Sequence, residues 1–229
     1  MKRIIILVGL IGFLAVSSSE AGEKIVFSED FSKAKDGDSV SALGWKVDAK
    51  ADQSLWEIEN GILKVTHFHK PYKGGSIEHE IPFIKKGMLD FDVKIGSADN
   101  TNFSLQIHIY GIGTSFKGYD GNLWWNRYEY DESNKNDIGW AGISKLNLDQ
   151  QYHCRVLFDA DTNVVEYYVD NMDDPVFRDT QDKVEGYPDV NNRAPDRILL
   201  GNYGLCPGTV INYVDNIKLI SIEKNIPEK

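Results

Sequence analysis

Positions 103 to 110 read Phe-Ser-Leu-Gln-Ile-His-Ile-Tyr, a strict alternation of apolar and polar residues. Only an extended backbone sends every second side chain to one side. Phe103, Leu105, Ile107 and Ile109 therefore face a core, while Ser104, Gln106, His108 and Tyr110 face away from it. The segment 87–95 repeats the pattern, with Asp90, Asp92 and Lys94 opposite Leu89, Phe91, Val93 and Ile95. Segments 164–170 and 196–203 read the same way. Turn-forming clusters separate these runs: Glu59-Asn60-Gly61, Lys73-Gly74-Gly75, positions 159–163 and positions 170–175. No long helical period competes. Roughly a dozen short strands with such punctuation predict an all-β, two-sheet antiparallel sandwich or barrel.

The first segment has a different character. Met1-Lys2-Arg3 precedes the apolar run from Ile4 to Val16 and the small residues Ser17, Ser18, Ser19 and Ala21. A basic start, a run too short to span a bilayer and a small-residue exit make 1–21 a secretory signal peptide. The product is then secreted, extracellular or periplasmic, and residues 22–229 form one domain. That length buries a core without help from a metal. Export makes Cys154 and Cys206 a candidate disulfide. The chain carries 25 basic and 35 acidic residues, a net charge of −10. Cleavage after Ala21 removes Lys2, Arg3 and Glu20, leaving 23 against 34, or −11. Such a balance argues against a nucleic-acid partner and against adhesion to anionic lipid. No later run is long enough to insert stably in a membrane.

The order of features resembles a known family. Phe27-Ser28-Glu29-Asp30-Phe31 precedes Gly44-Trp45 and positions 56–63; later come Phe158-Asp159, Tyr168 to Asn171 and Tyr213-Val214-Asp215-Asn216-Ile217. This resembles the concanavalin A-like (laminin-G and glucanase-type) jelly rolls of exported bacterial proteins. The resemblance implies a curved jelly-roll sandwich whose concave sheet carries a glycan groove. It also implies a structural Ca2+ where the first and last strands meet, with Glu29, Asp30 and Asp215 as the oxygen donors. No organic cofactor is implied.

Four groups of residues could carry chemistry. Tyr119, Trp124, Trp125, Tyr128, Tyr130 and Trp140 crowd into 110–140, which reads as one long irregular insertion; Asn126, Arg127 and Glu129 lie among them. Flat rings suit the apolar faces of sugars, and amides and charges suit their hydroxyl edges. Tyr110, Trp124, Trp125, Arg127, Tyr128, Glu129, Tyr130 and Trp140 are the expected ligand-binding set. Next, Gln106 and His108 share one strand face, about 7 Å apart. Gln106-Ile107-His108 resembles the tripeptide of family-7 alginate lyases. The likeness implies that Gln106 offsets a uronate carboxylate while His108 works with Tyr203 in β-elimination. The Arg-x-Glu arginine of those enzymes is missing, and cations are scarce around the presumed groove. Arg127 or Lys94 would have to substitute. Thirdly, Glu129 and Asp131 share a face, but nothing sets the spacing of about 5–5.5 Å that retaining hydrolysis needs. Lastly, His67, His69, His79 and His108 lack the clustering of a transition-metal site.

The leading expectation is a secreted polysaccharide-binding domain of neutral or weakly charged specificity. The alternative is a polysaccharide lyase using Gln106, His108 and Tyr203 on a uronic-acid-containing glycan. A third reading is an envelope or adhesion protein of laminin-G type.

Overall fold

The computed structural model describes residues 22–48, 54–67, 73–96, 103–109, 112–119, 122–131, 136–162, 164–180, 197–204 and 209–223. The predicted signal peptide, Tyr110 and Cys206 lie outside them. Alternation becomes strand throughout: β1 (Gly22–Glu29), β2 (Lys46–Val47), β3 (Ser54–Glu59), β4 (Ile62–His67), β5 (Lys73–Glu80), β6 (Lys86–Ile95), β7 (Phe103–Ile109) and β8 (Ile112–Tyr119). There follow β9 (Asn122–Asp131), β10 (Asn136–Leu146), β11 (Gln151–Asp159), β12 (Val164–Val169), β13 (Phe177–Thr180), β14 (Arg197–Gly204) and β15 (Val210–Glu223). The only helical element among the described residues is a 3-10 turn, Val40–Leu43, capped by Ser39 and ended by Gly44 at φ 87°.

Two antiparallel sheets result. The eight-stranded sheet runs β13-β12-β11-β6-β15-β4-β3, with β1 joining β15 beyond β4; the seven-stranded sheet runs β10-β9-β8-β7-β14-β5-β2. Strand β11 shows how each strand is used: Tyr152, Cys154, Val156 and Phe158 are buried while the residues between them are not. The rows that face each other close the core around Phe31, Trp45, Phe91, Phe116, Trp125, Phe158 and Tyr167. At the Glu59-Asn60-Gly61 signal the β3–β4 hairpin turns with Asn60 at φ 55° and Gly61 at φ 75°, the left-handed pair that a two-residue hairpin prefers.

Segment 110–140 departs from expectation. It is not an irregular loop but most of β8, β9 and β10, which extend the seven-stranded sheet to its edge. Cys154 is a free, fully buried thiol, and burial pushes its pKa well above the usual thiol value. Its expected partner, Cys206, is outside the described residues.

The far face of the eight-stranded sheet is tied by in-register polar pairs. Arg155 lies opposite Asp90 and donates two bonds of 2.7 Å to its carboxylate. His153 meets Asp92 at 2.7 Å, and Asn216 Nδ2 donates to the same carboxylate at 2.8 Å. Asn216 sits at φ 51° in a bulge of β15, between Asp215 and Lys218. Because Asp90 is buried, removing one partner strands the other charge at low dielectric. Arg155→Ala, which strands the buried Asp90, is expected to lower unfolding stability by about 3 kcal/mol. The double change Asp90→Leu with Arg155→Met, measured in the same denaturant titration, should cost less.

Candidate functional site

In an antiparallel sheet, residues opposite one another point to the same face, so the register of the seven-stranded sheet maps its outer surface. Leu105, Ile107 and Ile109 of β7 point into the core, leaving Ser104, Gln106 and His108 outside. Three rows then cross the strands. The first runs Lys145, Trp124, Lys117, Ser104 and the backbone position of Tyr203. The second runs Gly142, Asn126, Ser115, Gln106, Gly201 and Ser76. The third runs Gly113, His108, Leu199, Glu78 and Lys46.

The middle row is built mostly of glycine, serine and short amides, and its flanks carry the larger side chains. Side-chain height thus makes a shallow trough across the strands. Six strands at about 4.8 Å spacing give it a span of about 24 Å. Its floor is rigid: Ser104 Oγ and Ser115 Oγ are 2.7 Å apart, and Asn126 Nδ2 donates to the Trp124 carbonyl at 3.1 Å. Toward β2 it opens into a cavity of about 350 Å³ walled by Lys46, Asp48, Ser76, Glu78, Arg197 and Leu199. There the charges pair across strands, Lys46 with Glu80 and Arg197 with Glu78.

His108 is half-buried in the third row. Burial, and then the positive charge of Arg197, pull its pKa down to about 4, so the imidazole is neutral at neutral pH. Arg197 was not singled out in the sequence. Its position depends on which strand becomes the neighbour of β7, and no local pattern encodes that.

The expected ligand set divides. Trp124 is 40% exposed on the outer face, whereas Trp125 is 0% exposed. Trp125 is a core residue: its ring stacks on Phe116 at 5.6 Å and 4°, and its indole N–H donates to Thr114 Oγ1 at 2.8 Å. Adjacent residues on a strand point oppositely, so only one of the two tryptophans could reach a ligand here. Arg127 shares the inward side of β9 with Trp125 and lays its guanidinium 4.8 Å from the centre of the Phe177 ring. Lys94 belongs to the other sheet, 5.9 Å from the Tyr213 ring. Neither supplies the cation the lyase reading needed. Tyr128 pairs with Trp140 and Glu129 with Gly139 along β9 and β10, and Tyr130 lies opposite Asp137. Tyr203 is on β14 beside β7, in the same sheet as Gln106 and His108.

Glu29, Asp30 and Asp215 lie near the β1–β15 junction. Glu29 accepts the N–H of Phe31 at 2.8 Å, Asp30 accepts from Ser32, and Asp215 accepts the N–H of Asn216 at 2.8 Å. Burial and the charges of Asp92, Asp30 and Glu29 raise the Asp215 pKa, against the Asn216 hydrogen bond that lowers it. Among the described residues no three His, Cys, Asp or Glu side chains converge tightly enough to hold a metal ion. No described helix is long and apolar enough to cross a membrane.

No family model and no curated protein matches the sequence. Solved structures match in shape. A sialidase, 16% identical, aligns over 85% of this chain with a TM-score of 0.63, and the chain spans 18% of that larger protein. The endo-β-1,3(4)-glucanase SCLam is 12% identical, with a TM-score of 0.60 over 92% of this chain and 94% of its own. The carbohydrate recognition domain of Emp47p is 11% identical, with a TM-score of 0.54 over 86% of this chain and 97% of its own. The fold is the concanavalin A-like jelly roll. At these identities the likeness establishes the jelly roll and not an activity. The alginate-lyase likeness of Gln106-Ile107-His108 finds no counterpart in these similarities.

The neutral His108 of this jelly roll carries a pH signature. Its folded pKa of about 4 lies below the ordinary histidine value of 6.5, so the unfolded chain takes up the proton first. The stability contribution is present above pH 6.5 and is lost as pH falls toward 4. The loss is of order 1–3 kcal/mol. Thermal unfolding between pH 7.5 and 4.5 should show this decline, and His108→Gln should flatten that part of the curve.

Proposed function

We propose that the protein is an exported carbohydrate-binding jelly roll that takes a polysaccharide chain along the trough of the seven-stranded sheet. The observation that carries the reading is the arrangement of the three rows. A low floor, with Ser115 and Asn126 buried in it and the half-buried Gln106 as its accessible amide, runs between an exposed indole, Trp124, at one end and paired charges at the other. A pyranose offers an apolar face to a ring and hydroxyls to amides and carboxylates, and this surface presents both. The structural neighbours named as glucanase, sialidase and carbohydrate recognition domain support the same assignment at the level of the fold. Export by the segment 1–21 would place the protein where polysaccharides are met.

One observation favours catalysis as a second reading. His108 is a free base at neutral pH, two positions from Gln106 on the same face. Arg197, whose charge acts on His108, stands in for the arginine whose absence weakened the lyase alternative. β-Elimination on a uronate polymer forms an unsaturated product that absorbs in the near ultraviolet. Its absence with alginate, glucuronan or ulvan from pH 6 to 10 removes this reading and leaves binding.

Calcium at Glu29, Asp30 and Asp215 is part of the proposal, with backbone carbonyls needed to complete a site that the three side chains do not form by themselves. Burial first, and then the neighbouring carboxylates, raise the Asp215 pKa, and a divalent ion bound there would favour its ionised form. Chelation should lower the unfolding temperature and added Ca2+ restore it; an unchanged temperature would rule the ion out.

The tryptophans separate binding from folding. Trp124→Ala should weaken glycan binding about tenfold while leaving stability nearly unchanged. Trp125→Ala should cost about 3–5 kcal/mol of stability by opening a cavity beside Phe116. A glycan array and a parallel denaturation series measure the two, and an unaffected Trp124→Ala would count against the trough.

A further inference from the structure

We infer that the Lys117–Trp124–Lys145 row is a subsite for an anionic sugar, one bearing a carboxylate or a sulfate ester. The inference rests on the reading of the trough as a glycan site and specifies what one end of it selects. Lys117, Trp124 and Lys145 lie directly opposite one another on β8, β9 and β10. All three therefore rise from the outer face. The Lys145 ammonium stands 6.0 Å from the centre of the Trp124 ring, and that ring keeps 40% exposure.

A bulge between Gly142 and Ser144 creates the alignment. Without the extra residue Ser144, not Lys145, would face Trp124. Gly142 keeps the approach low: a Cβ there would come within 3.7 Å of the indole and 3.8 Å of Asn126 Oδ1.

The charge distribution along the trough gives the chemical class. At the β2 end the cations Lys46 and Arg197 are each matched by a carboxylate, Glu80 and Glu78. At the Trp124 end neither lysine pairs with a carboxylate among the described residues. Two ammonium groups without a carboxylate partner among the described residues flank one apolar ring in a protein whose net charge is −10. A neutral sugar would use the ring and leave both charges idle. A carboxylated or sulfated sugar would use all three groups. Screening over about 8–10 Å keeps the distant negative charge of the molecule from cancelling them.

Affinity electrophoresis of the protein in gels of polygalacturonate, dextran sulfate, laminarin or polyglutamate tests this. One or both acidic polysaccharides should retard it at least tenfold more strongly than laminarin, and that difference should shrink as NaCl is raised. Lys117→Gln with Lys145→Gln should remove the difference. Lys24→Gln with Lys218→Gln changes the charge equally at exposed sites on the other sheet and should leave it intact. Preference for one acidic polymer tells carboxylate from sulfate. Equal retardation by laminarin, or an unaffected Lys117/Lys145 variant, overturns the subsite and leaves the glycan reading standing. Retardation by polyglutamate as strong as by the acidic glycans, untouched by Trp124→Ala, overturns it in favour of charge alone. No retardation by any polysaccharide overturns both.

Discussion

The architecture depends on one constraint: each strand of the seven-stranded sheet has a single face to give to the core. Once Leu105, Ile107 and Ile109 are buried, Gln106 and His108 must stand on the other side, and pairing carries that decision to every neighbouring strand. A slip of one residue would exchange the faces. The core therefore sets more than stability. By locking Trp125 between Phe116, Phe91 and Tyr167, it forces Trp124 outward and aligns three rows of residues, each crossing five or six strands. The trough is a by-product of register, which is why no contiguous stretch of sequence describes it.

The two outer faces differ in how polar groups are used. On the eight-stranded sheet Asp90, Asp92, Arg155, His153 and Asn216 engage one another. Their hydrogen-bonding capacity is largely spent inside the protein, and a cavity of about 250 Å³ there is bordered by Asp92, Asp215, Lys94 and Tyr213. On the seven-stranded sheet Ser115 and Asn126 of the middle row are buried, while Trp124 and Lys145 of the first row stay exposed. A surface that satisfies its own donors and acceptors supports the fold. One that keeps an indole and an ammonium toward solvent can exchange water for a ligand at little cost.

Much of the fold was legible because period-two patterning and turn chemistry are local. The alternation at 103–109, the one at 87–95 and the Asn60-Gly61 hairpin all became the elements they suggested. The segment 110–140 was misread because its strands near the sheet edge carry polar and aromatic residues on both sides. Without a one-sided apolar row, β9 resembles a loop. Its two tryptophans looked equivalent for the same reason, and only the burial of Leu123 and Trp125 shows which side is the core. Arg127 was placed with the ligand set although it falls on the inward side and packs against Phe177. The lysines were missed altogether. Lys117 and Lys145 are 28 positions apart in the chain, and a bulge that no composition signals brings them to either side of Trp124.

The trough also has a direction. At one end sit two lysines and an exposed ring; at the other, Arg197 and Lys46 are held by Glu78 and Glu80. Between them His108 is kept neutral by burial and by the charge of Arg197. An anion brought to the β2 end would meet carboxylates already holding the cations it needs, and would have to displace them. The same anion at the β10 end meets no ion pair among the described residues. Coulomb energy thus favours one placement of a charged sugar, while Gln106 in the neutral middle row can meet a hydroxyl of whatever residue follows it. A polymer alternating charged and neutral units would fit this gradient in one register. A uniformly charged polymer would be held chiefly at its Trp124 end, because the ion-paired end gives nothing for a second charge.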